Sequence, residues 1–376
     1  MMIRQILPII KKEIRQIRRD KRVLAILTLI PAVLLLINGY ALNFDVKHIK
    51  MAVYDAEKTS QSRAFVNAFI TSGYFDYQYS LEDYNASKGL IDEGEVKLVL
   101  VIPPKFSQDI LAGRPTTVQT LVDGMDANSA TTIIGYAQAV TLQYSQKIII
   151  QNVAKIGLKS FIPITYHARI WYNPELKSAK FLVPGLIAFI LAITGVIATS
   201  LSIVKEKERN TIEQIDVSPI HPFSLIFGKM IPYAAISLVA AAIVIFTAYI
   251  LFDVVVKGSL VLLFLFTTLF IISALSIGLL VSTISDSQQV AFQIAALVSM
   301  LPTLILSGFM FPIRSMPWFL QILSNVTPAK FYLVIMRDIV LKGVGVSSFW
   351  EQIVYLCLYC TIVLTIAIKR FQRHTI

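Results

Sequence analysis

The stretch VKEKERNTIEQIDVSPIHPFSLIFGKMIPY, residues 204–233, decides how this chain is organised. It is dense in charges of both signs, yet it lies between two almost wholly apolar runs and is too short to fold as a soluble domain. Pro219 and Pro222 interrupt any helix before the next apolar run begins. We therefore predict a polar elbow over residues 204–225, which joins two membrane helices at the membrane surface and offers a soluble partner a place to push.

The composition is that of an integral membrane protein. Of the 376 residues, 56% are hydrophobic and 15% are charged, whereas soluble domains average about 25% charged residues. The formal net charge of +11 does not indicate nucleic acid binding, because the basic residues concentrate beside apolar runs, where they orient membrane proteins. Cys357 and Cys360 both lie inside an apolar run, so we predict no disulfide, metal site or cofactor.

Crossing the hydrocarbon core takes about 20 apolar residues in a helix, and several runs of the sequence qualify. We predict six transmembrane helices, over residues 23–42, 181–203, 226–251, 259–283, 290–310 and 350–368. Basic residues crowd residues 1–22 and recur in the tail 369–376, which predicts that both termini are cytoplasmic in a multi-pass protein of the cell inner membrane. The elbow then also lies inside, and residues 43–180 lie outside.

Residues 1–22 are predicted to form an amphipathic helix that lies in the membrane interface. Large apolar residues recur there at steps of three and four, with basic residues between them. They are Ile3, Ile6, Leu7, Ile10, Ile14 and Ile17. A disordered basic tail is the alternative, although such tails rarely keep an apolar stripe.

Residues 43–180 are numerous enough for one folded domain, and their pattern predicts an extracytoplasmic α/β fold. Runs with strand character alternate with helical runs and begin at Ile49, Tyr74, Val96 and Thr117. A long helix is predicted from Ala127 to about residue 157, with a strand following from residue 164. The acids and histidines of this domain show no nucleophile–base pair and no metal-ligand spacing. A ligand-contacting or partner-docking surface is therefore favoured over an active site.

Within the apolar runs, the polar groups are hydroxyls and amides. The last five runs carry no ionisable residue near the middle, which disfavours an ion-coupled carrier. The polar residues of the fifth run share one helix face. Such a face is typical of a translocation path and equally of packing between helices, and the sequence leaves both interpretations open. The candidate path residues are Thr194, Gln289, Gln293, Thr303 and Ser307.

Residues 311–345 are too interrupted for a membrane span and too apolar for a soluble loop. Irregular backbone at membrane depth is tolerated only against protein or a cavity. We therefore predict short helices that re-enter the outer leaflet and cap the path. The predicted outer gate consists of Pro312, Pro317, Trp318 and Pro328.

The order of basic interfacial helix, span, large outer domain and five further spans resembles the permease subunit of ABC-2 type exporters, in the long form with an extracytoplasmic domain between the first two spans. The resemblance covers nearly the whole chain. The resemblance rests on five stretches of sequence: IPPKFSQDILAG (102–113), LVDGMDANSA (121–130), WYNPELKSAKFLVPGL (171–186), EKERNTIEQIDVSPIHPFSLIFGKMIPY (206–233) and residues 308–343.

The resemblance implies that the elbow is a coupling element that docks on a separate ATPase subunit. Asn210 stands where relatives usually carry glycine before the threonine, and asparagine also tolerates a turn-like backbone. The implied ATPase-coupling residues are Glu206, Glu208, Arg209, Thr211, Glu213 and Gln214. This chain has no phosphate-binding G-x-x-x-x-G-K-[ST] motif, so ATP hydrolysis is expected on another polypeptide.

The resulting hypothesis is a non-catalytic permease subunit that moves an amphiphilic or drug-like substrate outward. Two permease chains, identical or related, are expected to surround the path, and the outer domain offers a docking site for a periplasmic membrane-fusion-type adaptor. A membrane-anchored sensor with an extracytoplasmic ligand-binding domain is the alternative. A sensor needs an output domain, for which the short inner segments leave no room.

Overall fold

The computed structural model describes residues 2–41, 48–155, 171–173, 177–209 and 221–374. The chain divides into two compact units, the first made of Met1–Asn43 with Ile170–Ile376 and the second made of Phe44–Arg169. In chain order, the described helices and strands are α1 (Met2–Arg19), α2 (Lys21–Ala41), β1 (Ile49–Asp55), α3 (Ser60–Thr71), β2 (Phe75–Leu81), α4 (Ala86–Asp92), β3 (Leu98–Ile102), α5 (Phe106–Leu111), β4 (Gln119–Val122), α6 (Ala127–Lys155), α7 (Ser178–Glu208), α8 (Pro222–Phe252), α9 (Leu260–Ile284), α10 (Gln288–Leu306), α11 (Trp318–Leu323), α12 (Pro328–Arg337) and α13 (Trp350–His374).

Six helices within the described ranges are long and apolar enough to cross a membrane: α2, α7, α8, α9, α10 and α13. Of these, α7 is the most enclosed, with 72% of its most apolar window buried, compared with 50% for α9 and 22–28% for the others. Helices α2, α8, α9 and α10 pack against α7, and α13 packs against α9. The less enclosed helices leave their remaining apolar faces outward, as expected for helices in lipid.

Small residues bring α7 and α9 close together. A β-carbon at Gly278 in α9 would lie 2.4 Å from the carbonyl oxygen of Val196 in α7, and one at Gly195 would lie 3.1 Å from the Ala274 β-carbon. Close backbone approach of this kind is how membrane helices gain van der Waals contact when lipid offers no hydrophobic driving force.

The second unit is built on a four-stranded sheet in the described part of the chain, with strand order β2-β1-β3-β4. Strand β1 pairs in parallel with both β2 and β3, and β4 is antiparallel to β3. Parallel neighbours require crossover connections, which α3 and α4 provide. The strand predicted from residue 164 lies outside the described residues.

Both faces of this sheet are covered, because alternate side chains of each strand point to opposite faces. Met51 and Val53 of β1 join an aromatic core with Phe65 and Phe69 of α3. Ala52, between them in sequence, packs on the opposite face. Strands β1 and β3 are nearly continuous apolar runs, and their alternate residues point to opposite faces. The sheet therefore has a hydrophobic core on each face.

Glu57 fastens the loop after β1 to the start of α5. Its carboxylate accepts a hydrogen bond of 2.8 Å from the backbone N–H of Ser107 and one of 2.6 Å from the Ser107 hydroxyl. Burial raises the pKa of Glu57, but these bonds outweigh that effect, so the net pKa lies below its ordinary value. A depressed carboxyl pKa contributes stability that is present above the ordinary pKa and is lost as the pH falls through the depressed one.

Replacing Glu57 by glutamine is accordingly expected to lower the stability of the second unit at pH 7 by about 1 kcal/mol, as is typical of one such hydrogen bond after allowance for solvent exposure. The deficit relative to the unmodified chain should shrink as the pH is lowered below the ordinary glutamate range. Thermal unfolding followed across that range measures it. The matched control is Glu93→Gln, which changes an exposed carboxylate of the same unit, and an equal effect in both variants would refute the role of Glu57.

Candidate functional site: a buried charge cluster at the elbow

Helix α7 ends in four consecutive charged residues, and Glu206 is the one that turns into the protein. Its carboxylate lies 2.6 Å from the Lys229 ammonium of α8 and also pairs with Lys12 of α1. Glu13 of α1 completes the group, 3.2 Å from Lys229 and 3.7 Å from Lys12. We call Lys12, Glu13, Glu206 and Lys229 the charge cluster.

The charge cluster is buried and electrically balanced. Side-chain exposure is 1% for Glu13, 5% for Lys229 and 8% for Glu206, and only Lys12, at 50%, reaches solvent. Two ammonium and two carboxylate groups sum to zero, so no net charge is left in a poorly solvated place. Loss of one member of a buried pair typically costs about 3–5 kcal/mol because its partner stays buried and unpaired.

The pKa of Lys12, the half-exposed member of the charge cluster, reflects its contacts with the two carboxylates. Partial burial lowers the pKa of its ammonium, but the hydrogen bond and charge of Glu206, together with the charge of Glu13, outweigh that effect. The net pKa of Lys12 is therefore raised, and the lysine stays charged across the physiological range.

The remaining charges at the end of α7 contact other elements. Lys205 lies 3.5 Å from Asp20, beside the start of α2. Lys207 reaches the turn between α9 and α10, with its ammonium 2.6 Å from the Asp286 carboxylate. These contacts put the end of α7, the start of α2 and the α9–α10 turn at the same end of the first unit.

Glu208 connects α7 to the first residue of α10. Its carboxylate accepts a hydrogen bond of 2.5 Å from the Gln288 backbone N–H and another from the Gln288 side-chain amide. A carboxylate at a helix N-terminus satisfies donors that the helix cannot and is favoured by the helix dipole. One turn of α7 thus joins α1, α2, α8 and α10, so displacement of this turn is passed to several membrane helices at once.

The predicted ATPase-coupling residues differ in their surroundings. Glu206 is enclosed by lysines of its own chain, so its carboxylate is occupied inside the protein. Glu208 and Arg209 are exposed, and the Arg209 charge acts on the Glu208 carboxylate. Thr211, Glu213 and Gln214 lie outside the described residues.

Sequence reasoning missed Glu13 and Lys229. In the apolar stripe predicted for α1, Leu7 and Ile14 are 57% and 42% exposed, whereas Ile17 is buried. Ile9, which is not part of that stripe, is also buried, and Glu13 lies between Ile9 and Ile17. Periodicity assigns a glutamate to the polar face and therefore gave no sign that Glu13 is buried. One signal in the sequence could have indicated the charge cluster. Lys229 interrupts the apolar run of α8, and a lysine inside such a run needs a partner of opposite charge.

The candidate path residues are not all in one environment. The Thr194 hydroxyl donates to the Ile190 carbonyl at 2.8 Å, and the Ser307 hydroxyl donates to the Thr303 carbonyl, which are bonds within the helix or at its end. Gln289 and Gln293 are exposed near the start of α10, while Thr303 and Ser307 are buried near its end. The face shared by these four residues therefore runs from an exposed end to an enclosed one.

The segment between α10 and α13 contains two short helices with a sharp bend. The pair Trp318–Val326 and Pro328–Lys342 is bent by 90°. Pro317 and Pro328 each stand where a helix begins, and there the missing N–H of proline costs nothing. Pro312, Pro317 and Trp318 are exposed, whereas Pro328 is buried.

Comparison with known proteins identifies the relatives of this chain. The family model described as ABC-2 family transporter protein matches residues 21–369. The chain is 30% identical to the probable multidrug ABC transporter permease YbhS of Escherichia coli, over 88% of this chain and 87% of the relative. It is 28% identical to the probable multidrug ABC transporter permease YbhR, over 94% of each chain. It is 27% identical to the inner membrane transport permease YhhJ, over 96% of this chain and 95% of the relative.

Six membrane-length helices in the described residues define a multi-pass membrane protein, and ion pairs at the elbow link several of its elements. The family match over residues 21–369 shows which family of membrane proteins it belongs to. The chain belongs to the ABC-2 family of transporter proteins, whose resemblance the elbow and the flanking stretches had indicated.

Proposed function

We propose that the protein is the permease subunit of an ATP-driven exporter and that its elbow receives the motion of a separate ATPase subunit. The observation that carries the proposal is the end of α7, where Lys205, Glu206, Lys207 and Glu208 are each fixed to another element. A partner that moves the elbow thereby moves α1, α8 and α10 together. The names of YbhS and YbhR, probable multidrug ABC transporter permeases, support this function.

The roles of the elbow residues follow from their surroundings. Glu208 and Arg209, together with Thr211, Glu213 and Gln214 of the elbow sequence, form the surface that meets the ATPase. Glu206 acts one layer deeper, because its carboxylate holds the elbow to the charge cluster. This division gives each predicted coupling residue either a contacting or a transmitting role.

Orientation follows from the distribution of basic residues. Both termini and the elbow lie in the cytoplasm, the second unit lies outside, and α1 lies in the inner interface of the cell inner membrane, the location named for the relative YhhJ. The segment 311–345, which contains the 90° helix pair, re-enters from the outside and gates the path with Pro312, Pro317, Trp318 and Pro328. The second unit provides the docking surface for a periplasmic membrane-fusion-type adaptor.

The transported substrate is amphiphilic or drug-like, because the path offers hydroxyls and amides without fixed charge. Thr194, Gln289, Gln293, Thr303 and Ser307 contribute its polar groups. A second permease copy or a related permease faces the exposed Gln289 and Gln293, and completes the path between the two chains.

Charge reversal on the elbow surface tests this function. In liposomes that hold the permease and its ATPase, Glu208→Lys combined with Arg209→Glu is expected to leave ATP hydrolysis running while substrate export falls about tenfold, the loss expected when about 1.4 kcal/mol of coupling is removed. Glu351→Lys, which reverses an exposed charge at the start of α13 and outside the proposed gate segment, is the matched control and should retain the ratio of substrate to ATP. Unchanged coupling in the elbow variant, or an equal loss in the control, would refute the proposal.

A further inference from the structure

A long groove lies between α10 and α13 in the first unit. Its volume is about 600 Å³, and its walls are formed by Val298, Pro302 and Leu306 of α10 and by Tyr359, Val363 and Ile366 of α13, among others. Residues of α7 and α9 close its floor. Val298 and Ile366 are 44% and 50% exposed, so the groove opens sideways along its length and is accessible from the lipid.

The two ends of the groove differ in polarity. Arg370, in the last turns of α13, lies at one end and is exposed. The described residues contain no carboxylate within ion-pair distance of its guanidinium. Thr327 lies at the other end, where its hydroxyl oxygen is buried and makes no hydrogen bond with the described residues. From Tyr359 to Arg370 the helix rises about 16 Å.

The lining of the groove selects the occupant. Between its ends the groove is lined mainly by apolar side chains, and among the described residues only Tyr359, Ser299 and the candidate path residue Thr303 contribute polar groups there. A drug-like ligand is normally fixed by several convergent polar groups. One hydrocarbon chain of a membrane lipid is apolar along its whole length and already lies beside the open side of the groove, so it matches this lining.

We propose that the groove binds one acyl chain of an anionic phospholipid from the surrounding bilayer, with the lipid phosphate on Arg370. An exposed arginine at the mouth of a pocket between membrane helices is the arrangement that recognises anionic headgroups, and the neighbouring Lys369 is also exposed. This inference is independent of the direction of transport and of the ATPase.

Lipid retention by the purified full-length chain tests the headgroup contact. The chain is incubated in mixed micelles of phosphatidylglycerol and phosphatidylcholine with identical acyl chains, and bound lipid is counted by native mass spectrometry. The unmodified chain should favour phosphatidylglycerol, and Arg370→Gln should reduce that preference about fivefold, the factor that one basic residue near an anionic surface contributes. Lys369→Gln, which changes a base that does not line the groove, should reduce it less.

A second pair of variants tests the acyl site. Val298→Phe places a larger side chain in the groove and should reduce the retention of both lipids at least fivefold. Leu297→Phe makes the same kind of change at a neighbouring exposed residue that does not line the groove and should leave retention unchanged. Equal retention of the two lipids by the unmodified chain, or equal effects of the two phenylalanine variants, would overturn the proposal.

Discussion

Replacing Lys229 by methionine is expected to destabilise the first unit by about 3–5 kcal/mol, because the carboxylates of Glu13 and Glu206 stay buried with half of their compensation gone. Of the two lysines in the charge cluster, Lys12 then remains, and its side chain is half exposed. Thermal unfolding in detergent measures the loss through tryptophan fluorescence. The three tryptophans of the chain, Trp171, Trp318 and Trp350, all belong to the first unit.

A double variant separates charge imbalance from lost packing. Glu13→Gln combined with Lys229→Met leaves Lys12 and Glu206 as one balanced pair, so it should recover a large part of the stability that Lys229→Met loses. Lys257→Met removes an exposed lysine and should change stability by less than about 0.5 kcal/mol. If Lys229→Met unfolded at the same temperature as the unmodified chain, the charge cluster would contribute nothing to the stability of the contact between α7, α1 and α8.

Replacing Gly278 by alanine is expected to destabilise the packing of α7 against α9 by about 1–3 kcal/mol, as overpacking of a tight site usually does. The added β-carbon would lie 2.4 Å from the backbone oxygen of Val196, and a backbone atom cannot turn aside as a side chain can. The two central helices would have to separate along their contact.

Gly345→Ala is the matched control for Gly278→Ala. It adds the same methyl group in the first unit at a position with no atom within 4 Å of the new β-carbon, so its unfolding temperature should stay near that of the unmodified chain. A similar shift in both variants would mean that glycine itself, and not the close helix contact, accounts for the effect.

The membrane helices could be predicted from the sequence because lipid permits few alternatives: a backbone without water must be helical, and the necessary length is fixed by the bilayer. The run predicted over 259–283 is helix Leu260–Ile284, and that over 181–203 lies within Ser178–Glu208. Helix α7 continues beyond its apolar part because ion pairs hold its charged last turn. Apolar length alone could not predict that extension.

Strand positions in the second unit were also readable, since β-branched and aromatic residues between turn signals mark them. The run beginning at Ile49 is strand β1, and the one beginning at Val96 contains Leu98–Ile102. The pairing order β2-β1-β3-β4 depends on contacts between distant segments, and no local pattern carries it.

The charge cluster could not be predicted, because its members are far apart in the chain. Lys229 and Glu13 are separated by 216 positions, and each alone has an ordinary explanation: a snorkelling lysine near a membrane surface and a glutamate on the polar side of an amphipathic helix. In the folded chain the two side chains form an ion pair, and both are buried. The charge cluster changes the role proposed for Glu206 from partner contact to internal anchor.

The measurement that tests the central claim most directly is substrate accumulation in inside-out vesicles that contain the permease with or without its ATPase. Vesicles with both proteins should accumulate an amphiphilic dye when ATP is added outside. Those with the permease alone, or with ATP replaced by a non-hydrolysable analogue, should accumulate none. ATP-independent uphill accumulation by the permease alone, or accumulation that persists with the analogue, would contradict the account.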